Sequence, residues 1–165
     1  MKQIIRIGNG FDIHRFADGR KLFLGGIEIP YSRGLEGHSD ADVVLHSICD
    51  ALLGALALGD IGKHFPDTDA RFKNIDSKLL LKHVYQLIAA EGYGIGNIDV
   101  MILAEKPKIQ QYVPEMTRSI AEILDAEENQ ISIKATTMEK LGSIGREEGI
   151  AANSVVLLMK RENNA

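Results

Sequence analysis

Apolar and polar positions change their period several times along this chain, and each change marks an element. Residues 4–7 (Ile4-Ile5-Arg6-Ile7) read as a strand running into Gly8-Asn9-Gly10 and then Phe11-Asp12-Ile13-His14. The two glycines let the backbone pass close to a ligand or another strand. Lys21-Leu22-Phe23-Leu24 and Ile27-Glu28-Ile29-Pro30 flank Gly25-Gly26, a hairpin signal in which the glycines supply positive φ. A loop follows over residues 31–37. Ser39 with Asp42 three residues on is an acidic variant of a capping box and predicts a helix start. Val43, Leu45, Ile48, Leu52, Leu53 and Leu56 are the apolar positions of that helix. No period survives over residues 58–76; the embedded Ile61 and Phe65 favour an ordered loop, a lid or a pocket wall. Residues 77–91 read as a second helix with Leu80, Val84, Leu87 and Ile88 on its buried side, ended by Gly92, Gly94 and Gly96. A strand over residues 98–103 and a third helix through Leu124, with Pro114 near its first turn or kinking it, come next. A strand over residues 131–135, a segment punctuated by Gly142, Gly145 and Gly149, a last strand over 150–159 and a polar tail over 161–165 complete the chain. Strands and helices do not alternate regularly. The expected class is therefore α+β, one domain over residues 1–165 with a mixed sheet packed against helices on one face.

The bulk numbers narrow the function. The chain has 165 residues, 45% of them hydrophobic, and a formal net charge of -4, which argues against a general nucleic-acid binder. A small anionic ligand is not excluded, because a local metal and a few cations outweigh the global balance. The single cysteine, Cys49, lies among apolar neighbours and reads as a core thiol; no disulfide can form within the chain. Nothing approaches a membrane span, and Met1-Lys2-Gln3-Ile4-Ile5-Arg6 does not resemble a signal peptide. A cytoplasmic protein is expected.

Three residues carry the candidate chemistry. Asp12 and His14, two apart, point to the same side of a strand, and His46 comes from the first helix, between Asp42 and Asp50 on one helical face. Two imidazoles and one carboxylate from two elements make a three-ligand metal site with an open position, as a catalytic zinc requires. The bland reading is a turn cap and two satisfied core histidines. Spacing alone leaves a non-haem iron centre open as well, and with it an oxygenase or a non-catalytic metal-dependent binder. Thr136-Thr137 with Glu139 reads either as a strand end followed by a helix cap or as phosphate donors with a Mg²⁺ ligand. Lys106-Pro107-Lys108 is a stiff basic elbow, and Arg146 in its glycine-rich loop suits bidentate phosphate binding. Asp60, Asp67 and Asp69 are turn residues or acceptors for sugar-like hydroxyls.

Four segments together resemble one family. They are Asp12-x-His14, Ser39-Asp40-Ala41-Asp42-Val43-Val44-Leu45-His46, the run from Gly59-Asp60-Ile61-Gly62-Lys63 through His64-Phe65-Pro66-Asp67-Thr68-Asp69, and Lys134-Ala135-Thr136-Thr137-Met138-Glu139-Lys140-Leu141-Gly142. In this order they are similar to the 2-C-methyl-D-erythritol 2,4-cyclodiphosphate synthase family of the non-mevalonate isoprenoid pathway. The resemblance implies a phosphorus–oxygen lyase. In its reaction the 2-phosphate of 4-diphosphocytidyl-2-C-methyl-D-erythritol 2-phosphate attacks the β-phosphorus, CMP leaves, and a cyclic diphosphate results. It also implies a homotrimer with active sites between subunits, one zinc per subunit on Asp12, His14 and His46, and Mg²⁺ or Mn²⁺ on the substrate diphosphate through Glu139.

By the same resemblance His38 and Thr137 stabilise the transition state. His38 and Ser39, ahead of a helix whose amides favour anions, seat the attacking phosphate. Asp60, Ile61, Gly62, Phe65, Pro66, Asp67, Thr68 and Asp69 line the erythritol pocket. Ala104, Glu105, Lys106, Pro107, Lys108, Ile109 and Gln110 form the cytidine and phosphate pocket. Thr136, Met138, Ser143 and Arg146 complete the substrate contacts. Two positions depart from the family pattern: Ser143-Ile144 stands where many members carry an aromatic residue, and Asn9 where a histidine is common.

Overall fold

In the computed structural model of the chain, residues 5–66 and 68–161 are described. The expectations for Ile4, for Asp67 and for most of the polar tail lie outside them. Five strands form one sheet in the order β4-β1-β7-β5-β6, where β1 is Ile5–Ala17, β4 Gly34–Leu35, β5 Tyr93–Leu103, β6 Ile131–Thr136 and β7 Gly149–Lys160. Only β5 and β6 run parallel; the other pairs are antiparallel, so the sheet is mixed. Strands β2 (Leu22–Leu24) and β3 (Ile27–Ile29) make the expected hairpin, with Gly25 and Gly26 at φ 60° and 81°.

Three helices, α1 (Val43–Ala55), α3 (Ser77–Ala90) and α4 (Val113–Leu124), cover one face of that sheet, with two four-residue turns, α2 (Ile61–His64) and α5 (Gly142–Gly145), between elements. Alternation along the strands divides the residues between the two faces. Ile98, Val100 and Ile102 of β5, Val156 and Leu158 of β7, and Ile131 and Ile133 of β6 are buried under the helices beside Ile48, Leu52, Val84 and Ile120. The opposite face is open and apolar along β1: Ile5, Ile7, Phe11 and Ile13 are all exposed, and Val155 of β7 beside them is exposed too.

Three expectations about elements change. The first strand does not stop at Ile7 but runs unbroken to Ala17, because its glycines face a helix rather than a ligand or a strand. A Cβ at Gly8 would stand 1.8 Å from the carbonyl oxygen of Ala51, and one at Gly10 would stand 1.9 Å from that of Ser47. Strand β5 starts at Tyr93, five residues earlier than expected, with Gly94 and Gly96 inside it and a register shift between Ile95 and Asn97. The cap of α1 is Asp42 itself rather than a Ser39–Asp42 box. Its fully buried carboxylate accepts N–H bonds from Val44, Leu45, Gly25 and Gly26 at 3.1, 3.0, 2.9 and 2.7 Å, which ties the hairpin turn to the helix start. Burial and the neighbouring Asp40 carboxylate push Asp42 up to about 6.

Candidate metal centre

Even-numbered residues of β1 face α1, so Gly8 and Gly10 prepare the place that Asp12 and His14 occupy next along the strand. Without side chains at the two glycines the helix lies directly on the strand backbone. His46, one residue before the Ser47 carbonyl that Gly10 admits, is thereby brought against Asp12. Asp12 Oδ2 lies 2.9 Å from His46 Nδ1 and 3.1 Å from His14 Nε2. One ligand atom from each of Asp12, His14 and His46 falls within 4.8 Å of the other two, the one such group among the described residues. All three are half-buried. Burial alone would push the Asp12 carboxyl up, but hydrogen bonds from His14 and then His46 more than reverse it and hold the group below the usual carboxylate range. Burial pushes His14 down, and the Asp12 carboxylate outweighs it, so the imidazole sits above its ordinary value.

The donor set fits a divalent metal cation: a carboxylate oxygen and two imidazole nitrogens, presented from a strand and a helix that are locked together. These groups open into a cavity of about 270 Å³ that also takes in Gly37, His38, Ser39, Ile61, Gly62, Phe65, Phe72, Ile75 and Leu80. Ile61, Gly62, Phe65, Phe72 and Ile75 form one wall of it, as expected of a lid or pocket side. Asp50, one helical turn beyond His46, accepts the Ile61 N–H at 2.7 Å and so holds α2 over the cavity. Phe65 packs edge-on against Phe72 and His83, with ring centroids 5.3 and 5.4 Å away, and His64 reaches the Leu58 carbonyl oxygen at 3.0 Å.

A second concavity of about 130 Å³ lies elsewhere on the chain, lined by Ala104, Glu105, Pro107, Lys108, Ile109, Gln110, Ala135, Thr136 and Thr137. The Lys106–Pro107 peptide in it is cis. The turn after β6 is not a helix cap: Glu139 and Lys140 take φ of 51° and 64°, and Glu105 Oε1 accepts the N–H groups of Met138 and Lys140 at 2.9 and 3.2 Å. Glu139 lies beside Thr137, whose hydroxyl donates to its Oε1 at 3.4 Å. Ser143 borders a third hollow with Ile13, His14, Arg15, Ile144, Glu148 and Gly149, and Arg146 donates to Glu148 at 2.6 Å.

One chain therefore brings Asp12, His14, His38, Ser39, His46, Ile61, Gly62 and Phe65 together, but not His38 with Thr137, which line different concavities. Asp60, Pro66, Thr68, Asp69 and Lys106 line neither. Asp60 caps α2 by accepting the Lys63 N–H, and Asp69 is engaged by the Arg71 guanidinium at 2.6 Å. At the start of α1 the Val44 and Leu45 amides are given to Asp42, so these two have no N–H to offer a phosphate. Leu80, Ile75, Phe72 and Gly37 were missed as cavity residues. Leu80 carries the same signal as any core leucine of a helix, and the other three sit where no periodicity guides the eye.

Comparison with known proteins places this geometry among relatives. The profile of the YgbB family matches residues 5–159. The chain is 60% identical over 158 residues to the 2-C-methyl-D-erythritol 2,4-cyclodiphosphate synthase of Chlorobium phaeobacteroides, covering 96% of this chain and 99% of that one. It is 58% identical over 157 residues to the protein of the same name from Halalkalibacterium halodurans, covering 95% of this chain and 100% of the other. Among solved structures it superposes on the bifunctional IspDF from Campylobacter jejuni with a TM-score of 0.94 at 46% identity, over 98% of this chain and 44% of that one. It superposes on the Plasmodium falciparum IspF in complex with CDP with a TM-score of 0.85 at 36% identity, over 98% and 100% of the two chains.

Proposed function

This chain belongs to the YgbB family, and we propose that it is a 2-C-methyl-D-erythritol 2,4-cyclodiphosphate synthase. It converts 4-diphosphocytidyl-2-C-methyl-D-erythritol 2-phosphate to the 2,4-cyclodiphosphate with release of CMP, in the cytoplasm, with residues 1–165 acting as one synthase domain. The observation that carries this reading is the convergence of Asp12, His14 and His46 in a cavity that also holds His38 and Ser39.

Intramolecular phosphoryl transfer asks a protein for positioning and charge neutralisation rather than for a covalent nucleophile. Asp12, His14 and His46 would hold the zinc, which would supply Lewis-acid chemistry toward the phosphates. Glu139, an exposed carboxylate, would hold the Mg²⁺ or Mn²⁺, which would supply charge neutralisation to the diphosphate. His38 is half-buried on the cavity rim, its Nε2 3.4 Å from the Asp69 carbonyl oxygen, and from there its ring can donate to the attacking 2-phosphate. Ile61, Gly62 and Phe65 form the wall against which the erythritol carbons pack and from which water is displaced. Ala104 to Gln110 offer the second concavity to cytidine, with Lys108 near its phosphates, and the Thr137 hydroxyl at the same edge meets the charge that develops on the diphosphate. Arg146 and Ser143 lie at the margin of this machinery.

His38 and Thr137 act on one reaction yet line separate concavities of one chain. The second concavity of a neighbouring subunit must therefore close over the first, and a homotrimer with active sites at its interfaces is the assembly we propose. The open apolar face of β1 and β7 supports it, since monomers rarely leave such a row of isoleucines to water. Phosphorus NMR of the purified protein with the diphosphocytidyl substrate, zinc and magnesium should show CMP and a cyclic diphosphate. Dialysis against a strong chelator should abolish both signals and added zinc should restore them. Iron with oxygen uptake, or substrate binding without turnover, would count against the proposal.

A further inference from the structure

His46 has two ring nitrogens, and the metal centre uses one. The other, Nε2, lies 2.9 Å from Ser77 Oγ and 3.1 Å from Ser39 Oγ, both buried hydroxyls. Ser77 opens α3, but the cap of that helix is Asp76, so its side chain is not spent on the helix. The Ser77 hydroxyl donates to Asp40 Oδ1, and the Ser77 N–H donates to Asp40 Oδ2 at 3.0 Å. Asp40 is itself fixed: its N–H reaches the Ile75 carbonyl oxygen at 3.2 Å, and its Oδ1 also accepts the Asp42 N–H at 3.3 Å.

The polarity of this chain of bonds follows from its far end. A carboxylate only accepts, so the single proton of the Ser77 hydroxyl is committed to Asp40, and toward His46 the Ser77 oxygen has only lone pairs. Nε2 must then carry a hydrogen, which leaves the lone pair of the neutral ring on Nδ1. That lone pair is the one available to a cation shared with Asp12, whose carboxylate oxygen lies 2.9 Å away; without the cation a proton on Nδ1 fills the same place and is donated to Asp12. Ser39 Oγ already accepts the Ala41 N–H at 3.1 Å and stands by as a second acceptor for Nε2. We infer that Asp40 and Ser77 are positioning residues for the metal centre: through Ser77, Asp40 fixes the His46 tautomer and ring angle that present Nδ1 to the cation. This is the outer support that metal-ligating imidazoles commonly need, with a serine inserted between carboxylate and ring. It rests on the metal reading of the Asp12, His14 and His46 group proposed above.

The test measures zinc binding rather than turnover. Apo protein, its fold checked by circular dichroism and thermal unfolding, is titrated with zinc against a chromophoric chelator. Ser77→Ala should weaken zinc by about tenfold, the low end of the usual cost, because Ser39 remains within reach. Asp40→Asn offers one acceptor to two Ser77 donors and should weaken zinc similarly. The double variant should lose no more than the worse single one, since both act through one chain of bonds. In the zinc-loaded wild type the His46 Nε2–H should be a downfield proton resonance in slow exchange with water, with a cross-peak to the Ser77 β-protons. Rapid exchange of that proton, zinc affinity of Ser77→Ala within twofold of wild type, or additive losses would each overturn the inference. The resonance decides even if a variant fails to fold. Failure of the wild type to bind zinc at all would sink the metal reading itself, a separate and visible outcome.

Discussion

Asp12 joins two imidazoles with one carboxylate oxygen, and that arrangement titrates in a predictable direction. In the metal-free protein His14 sits above its ordinary 6.5 and Asp12 below its ordinary 3.8, each because of the other. A raised histidine contributes stability that is full below 6.5 and is lost as pH rises through its folded value. A lowered aspartate contributes stability that is present above 3.8 and is lost as pH falls through its folded value. The metal-free pair therefore supports the fold most between these two limits. Zinc reverses the upper limit, because it binds neutral imidazole and must displace the His14 proton. Zinc affinity should fall by about tenfold per pH unit for each displaced proton once pH drops below the raised His14 value. Denaturant unfolding of chelated protein from pH 4 to 8, beside zinc titrations over the same range, checks both signs. Zinc affinity that is flat down to pH 5 would show that His14 holds no proton to displace.

Between elements, the site depends on how closely α1 lies on β1. A methyl group at Gly10 would meet the Ser47 carbonyl oxygen at 1.9 Å, an impossible contact with backbone rather than with a yielding side chain. Gly10→Ala should therefore lift the helix, cost on the order of 2–4 kcal/mol of stability, and weaken zinc by moving His46 from Asp12. Unchanged chemical-denaturation midpoint and zinc affinity would show that the two elements are not coupled in this way. The same contact explains what the sequence let a reader see. Asp12, His14 and His46 were legible because strand and helix periods aim them at one point, and the ends of α3 and α4 were legible from Glu91-Gly92 and Pro114. The continuity of β1 was not, since Gly8 and Gly10 look like a break unless the helix that needs them is known to pass there. Asp42 was misread for a related reason: its carboxylate serves Gly25 and Gly26 from another hairpin, and no local pattern announces a partner sixteen residues away. The run 58–76 reads as a pocket side from its embedded Ile61 and Phe65, which do line the cavity, but Asp50 as the anchor of α2 follows only from the packed structure.

For the whole molecule, the metal centre and the complete active site separate cleanly. All three proposed metal ligands come from one chain, whereas His38 and Thr137 line separate concavities, so the proposed active site needs a neighbour to supply the second. Ile7 is suited to pull these apart: it is 68% exposed on the open face of β1, points away from Asp12 and His14, and touches neither concavity. A glutamate there costs little in a lone chain, where it faces water. In a closed trimer the three copies would be buried against apolar neighbours or against one another, and the desolvation of unpaired charges would drive the subunits apart. Ile7→Glu should therefore scatter light as an 18.1 kDa chain where the wild type scatters as three of them. It should still bind one zinc per chain with near wild-type affinity, and should release almost no CMP. A monomeric variant with full CMP release would mean that a single chain completes the site, and that His38 and Thr137 do not cooperate across an interface. A trimeric variant would instead place the assembly on some surface other than this sheet.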